Sequence, residues 1–76
     1  HYRRANYAAA IIEFEAVIRP ATPLVDRVHA WLAIAECRRL LGQFDKATDA
    51  LDEARRLNPR SKDINVEAKK LEEAKV

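Results

Sequence analysis

The side chains that could do chemistry on their own are few. The chain holds two histidines, one cysteine and one glycine among its 76 residues. His29 and Cys37 would have to touch to work as base and nucleophile. Eight residues of helix hold them about 12 Å apart at ~1.5 Å per residue, beyond hydrogen-bond reach. A metal site on a helix asks for ligands at i and i+4, and the residue four after His29 is Ala33; Glu36 nearby does not complete a site alone. A single glycine leaves no phosphate-cradling loop. A lone cysteine can form neither an internal disulfide nor a cysteine-ligated zinc site. Cys37 therefore reads as a small packing residue and His29 as a surface or groove residue. The sequence gives no catalytic residue, no cofactor and no metal ligand set, and no enzyme is expected.

The basic doublets Arg3/Arg4, Arg38/Arg39, Arg55/Arg56 and Lys69/Lys70 raise nucleic-acid binding as another chemistry. Adjacent residues on a helix point ~100° apart, so doublets do not make a stripe. Asp45, Asp49, Asp52 and Glu53 interrupt them, and Lys plus Arg exceeds Asp plus Glu by only 14 − 12 = 2. A nucleic-acid partner is not expected. Neither is a membrane: with 34% charged residues, no apolar run approaches the ~20 that cross a bilayer. No secretory signal is visible, and the absence of an initial Met before His1 suggests a piece of a longer protein.

The elements that must position these residues are helices. Alanine supplies 14 residues, and no Gly/Ser linker divides the chain, so residues 1–76 read as one domain. Tyr7, Ala10, Ile11, Phe14, Val17 and Ile18 follow the i, i+3, i+4, i+7 spacing of one helical face, and Pro20 and Pro23 stop that helix. Ile12 and Ala16 form a second apolar side, as on a helix contacted from two directions. Thr22 before Pro23 predicts a cap and first turn for a second helix, running to about Leu41, with Asp26 near its positive end and Gly42 as a left-handed stop. Its inward face is Val28, Trp31, Ile34, Ala35 and Leu41. A third helix from about Asp45 carries Phe44, Ala47, Leu51 and Ala54 inward and ends near Leu57, before Pro59; the short connection makes an antiparallel hairpin. Ser61 can cap a fourth helix whose thin stripe is Ile64, Ala68 and Leu71, amid Lys62, Glu67, Lys69, Lys70, Glu72 and Glu73.

The first and third helices repeat. Tyr7, Ala10, Phe14 and Val17 align with Phe44, Ala47, Leu51 and Ala54 at one offset of 37 residues. Residues 28–61 are 34 in number and resemble a tetratricopeptide repeat: Trp31 at the first aromatic position, Ile34 and Ala35 at the apolar and small pair, Ala47 and Ala54 at the alanines, Leu51 at the second-helix aromatic and Pro59 at the terminal proline. Small residues let the two helices approach while large ones fill the space beside them. Two features depart from the pattern. Arg38 stands where the family prefers tyrosine, and would need an acidic partner such as Glu13 or Glu15. The offset of 37 implies three extra residues between Arg19 and Val25. The resemblance implies an all-α right-handed superhelix fragment of about four helices: residues 1–19 end a preceding repeat, 28–61 form a whole one, and 62–76 form a capping helix.

In such arrays the first helices of successive repeats line a concave groove. The resemblance puts His29, Leu32, Glu36, Arg39 and Leu40 there from the second helix, and Asp63, Val66 and Lys70 from the fourth. It implies a protein or peptide partner, either a short peptide or a partner helix. The subgroup of the family that clamps carboxylate-terminated tails uses lysine and asparagine where this chain has Leu32 and Glu36, and Glu36 would repel a carboxylate. The alternative is self-association as a scaffold element, with Tyr2, Ile12 and Ala16 exposed on the first helix.

Overall fold

The computed structural model describes residues 4–75, with side chains from Asn6 to Lys75. Four helices follow one another: α1 Arg4–Val17, α2 Leu24–Leu40, α3 Phe44–Leu57 and α4 Lys62–Lys75. Among the described residues there is no strand. Each helix packs on the next, and α2 also packs on α4, so among the described residues α2 is the only helix that touches the other three. The core closes where α2 meets its neighbours: Val28, Ile34, Ala35 and Leu41 from α2 and its end, Ala47, Leu51 and Ala54 from α3, and Ile64 and Leu71 from α4. Ala35 and Ala54 are 0% exposed, and Ile34 and Ile64 are 1%. Alanines at the crossing bring the backbones together, and the two isoleucines fill the space beside them, each contributing roughly 1.5–3 kcal/mol by burial.

The turn from α2 to α3 is set by Gly42 at φ +77°. The Gln43 N–H donates to the Arg38 carbonyl at 2.8 Å and the Gly42 N–H to the Arg39 carbonyl at 3.0 Å. This is the paired 6→1 and 5→2 closure of a Schellman motif. The side chains that span such a motif are usually apolar. Here Arg38 Nη1 donates to Gln43 Oε1 at 2.9 Å, and Arg38 Nη2 lies 3.9 Å from Glu15 of α1. The arginine in the tyrosine position thus ties the turn to both flanking segments.

Thr22 does not cap α2. Pro23 holds the N-cap position, where its carbonyl accepts the N–H groups of Asp26 and Arg27, and no side chain caps the helix. The Thr22 hydroxyl instead donates to the last carbonyl of α1, that of Val17, at 2.6 Å. Arg19 Nε donates to the Ala16 carbonyl, and Arg27 Nε to that of Thr22. The longer first connection is therefore a fixed bend in which side chains satisfy carbonyls that α1 leaves open.

Three expectations about packing are corrected. Val17 is 41% exposed although its repeat mate Ala54 is fully buried, because α3 lies between α2 and α4 whereas α1 packs on α2 alone. Ile12, at 68%, and Ala16 lie on a side of α1 that no described residue covers. Glu67, placed among the charged residues that surround the thin α4 stripe, is buried at 7% exposure.

Candidate functional site

Helix α2 carries a polar ridge opposite its Trp31 face, and α4 runs beside that ridge. Together they line an open groove of about 340 Å³. From α2 come His29, Leu32, Ala33 and Glu36; from α4 come Asp63, Val66, Glu67 and Lys70. The sequence register explains the order. Positions 29 and 63, 32 and 66, and 36 and 70 are each 34 residues apart, so the groove is layered: His29 beside Asp63 at one end, Leu32 beside Val66 in the middle, Glu36 beside Lys70 at the other end. Leu32 is half-buried, and Val66 is 53% exposed. Among the described residues His29, Glu36, Asp63 and Lys70 form no ion pair or side-chain hydrogen bond, so their charges and donors face the open groove. An apolar centre with unpaired charge at both ends can seat an aliphatic side chain and orient the chain that carries it.

Two residues expected in this groove lie elsewhere. Arg39 turns under the α4 edge, where its Nε donates to Glu67 Oε2 at 2.7 Å; the two side chains are 16% and 9% exposed. Leu40, 43% exposed, lines a neighbouring cleft of about 410 Å³ between α1 and α2, with Tyr7, Ala10, Phe14 and Cys37. Ala33 and Glu36 line both the groove and the cleft. Glu67 was missed from the sequence because a carboxylate in a helix rich in lysine and glutamate reads as part of the solvated face. The signal was its place, three after Ile64 and four before Leu71, inside the apolar stripe.

Cys37 is buried in the cleft wall, and burial, then the nearby Glu36 carboxylate, push its thiol above the ordinary value. His29 is exposed at the far end of the groove, eight residues earlier on the same helix. Among the described residues no three His, Cys, Asp or Glu side chains cluster as metal ligands, and no helix is long and apolar enough to cross a membrane. Two of the four basic doublets are matched by carboxylates, Arg38 with Glu15, Arg39 with Glu67, Arg55 with Asp52 and Arg56 with Glu53; Lys69 and Lys70 form no ion pair among the described residues, and the side chains of Arg3 and Arg4 lie outside them.

The geometry defines a class first: an all-helical array in which hairpins stack and a central helix is shared by two neighbours. The family model described as "Tetratricopeptide repeat" matches residues 28–71, from Val28 in α2 to Leu71 in α4. That span is more than half of the chain, which therefore belongs to the tetratricopeptide-repeat family. Comparison with curated proteins and with solved structures finds no match. Members of this family generally mediate protein–protein interaction and are typically non-catalytic interaction modules.

Proposed function

We propose that the chain binds a segment of a protein partner in the α2/α4 groove and carries out no catalysis. The observation that carries this reading is the layering of repeat-equivalent residues. Leu32 and Val66 offer partly exposed apolar surface at the centre, and unpaired His29, Asp63, Glu36 and Lys70 bound it at both ends. Because the α2/α3 hairpin and the Arg39–Glu67 pair hold both helices, the groove is built before the partner arrives and less ordering cost opposes binding. In this reading residues 28–61 are the complete repeat, residues 1–19 the end of a preceding one, and α4 a capping helix that supplies the second wall.

The test uses Val66→Asp with Lys70→Glu, both at exposed positions. Immobilised wild-type chain should retain from a cell extract of its source a protein that the variant loses by tenfold or more, about 1.4 kcal/mol, while helical circular dichroism is unchanged. Equal retention by the two would refute the groove.

A second reading, self-association as a scaffold element, is favoured by a different observation. The side of α1 turned from α2 exposes Ala8, Ala9, Ile12, Ala16 and Val17, with Ile12 at 68%. The register mates of four of these in α3 are Asp45, Lys46, Asp49 and Glu53, so one helix presents apolar surface where its counterpart presents charge. Tyr2, also expected on this surface, lies outside the described residues.

A further inference from the structure

Helices α1 and α3 have the same length, 14 residues each, and are held very differently. Helix α3 buries Ala47, Ala50, Leu51 and Ala54. Among the described residues of α1 only Ile11 is buried; Tyr7, Ala10 and Phe14 are half-buried, and Ile12 and Val17 face water. A helix this short is marginal on propensity alone, so packing is what keeps it in place. Helix α1 therefore docks with far less apolar burial than α3.

Polar ties do not make up the difference. The bonds of the bend, from Thr22 to the Val17 carbonyl, Arg19 to that of Ala16 and Arg27 to that of Thr22, join residues at most five apart. They set the local path of residues 18–23 without clamping the body of α1 to α2. Across the interface Glu15 meets Arg38 at 3.9 Å with its side chain 54% exposed, and a loose, solvated pair of this kind contributes little. The rest of the molecule does not lean on α1: every residue that lines the groove, and the Arg39–Glu67 pair beneath it, belongs to α2 or α4.

We infer that α1 is a flap. It swings away from α2 at the bend of residues 18–23, at a lower free-energy cost than global unfolding, and leaves α2, α3 and α4 folded with the groove intact. Opening carries off Tyr7, Ala10 and Phe14, which form one wall of the α1/α2 cleft, and uncovers Cys37 in the other. Access to this flank of α2 is thus set by how tightly α1 docks. The inference goes beyond the proposed function and does not depend on the groove's having a partner.

Because Cys37 is buried in the closed chain, a thiol reagent reaches it through an opening. Its rate of modification by dithionitrobenzoate, relative to that of the chain unfolded in urea, reports how often the opening occurs. The test removes one methylene from α1 and one from the body. Ile11→Val loosens the docking of α1 and should speed the modification about fivefold. Ile64→Val, in the core between α2 and α4, should lower the urea midpoint followed by circular dichroism and leave the modification rate within about twofold of wild type. In wild type the logarithm of the rate should rise with urea at less than about half the slope of global unfolding, because opening α1 exposes less surface.

Equal acceleration by the two variants, or a urea slope equal to the global one, would mean that Cys37 is reached only when the whole chain unfolds, and would overturn the inference. So would acceleration by Ile64→Val alone, or by neither variant, since α1 would then not be the element that guards the thiol.

Discussion

Removing the Glu67 carboxylate would leave the Arg39 guanidinium largely out of water with no counter-charge, since the two side chains are only 16% and 9% exposed. Breaking such a pair costs about 3 kcal/mol, a large part of what a domain this small has in reserve. Glu67→Ala should therefore lower the urea midpoint sharply, whereas Arg39→Met with Glu67→Leu should recover most of the loss by replacing both charges with apolar volume. A double variant as unstable as the single one would show that the pair's charge is not what matters. Cys37 makes a second prediction at this scale. Burial and Glu36 hold its thiol above the usual value near 9. The folded chain therefore keeps that proton at a pH where the unfolded chain has lost it. The resulting stabilisation is complete below pH 9 and is lost as pH rises through the folded value. Between pH 8 and 10 the urea midpoint of wild type should fall more than that of Cys37→Ala; parallel declines would mean that the thiol contributes nothing.

The helices themselves were legible because their apolar spacing and their stops agree. Gly42 illustrates the agreement: it falls after the last apolar residue of α2, and its φ of +77° is one that residues with a Cβ rarely adopt. A Cβ built there would meet nothing within 4 Å, so the cost of Gly42→Ala lies in the backbone alone. That cost is about 1–2 kcal/mol, and Gly42→Asn should cost less because asparagine tolerates the left-handed region. Thermal unfolding of the two variants checks the order, and an alanine variant as stable as wild type would mean that the turn can relax. Less legible were interactions that cross between elements. Thr22 looked like a cap for the helix ahead of it and serves the helix behind it, because a hydroxyl's direction depends on a bend that residue types do not specify. Arg39 looked like a groove residue from its register, but the partner that turns it under α4 is 28 residues away in the chain. Of the eight groove residues carried by register and resemblance, six line one cavity: His29, Leu32, Glu36, Asp63, Val66 and Lys70. Leu40 lies instead on the α1 side, where it lines a second cleft with Tyr7, Ala10 and Phe14.

At the scale of the whole molecule the Cα radius of gyration is 11.8 Å, close to the ~11.4 Å expected of a compact chain this long. So α1 is docked, although it has one helical neighbour where α3 has two. The two sides of the array nevertheless differ in what they offer to water. At 34 residues' offset from Trp31, Ala35, Arg38 and Leu41, the residues with which α2 faces the α1/α3 side and its turn, α4 has Asn65, Lys69, Glu72 and Lys75. The first four are buried or half-buried and the last four exposed. Helix α4 thus presents water-compatible side chains where α2 needs a partner, while the outer side of α1 keeps Ile12, Ala16 and Val17 in water. If the scaffold reading holds, association must therefore run through α1 and not through α4. Light scattering at rising protein concentration should then show mass growing beyond 8.7 kDa, and Ile12→Lys should return it to the monomer, since a charge in an apolar contact forfeits its burial and adds a desolvation cost. Lys69→Ala with Glu72→Ala, on the outer face of α4, should leave the mass of wild type unchanged. A monomer at every concentration would remove self-association and leave the groove as the sole reading. Association relieved by changes in α4 but not in α1 would reverse the assigned polarity of the array.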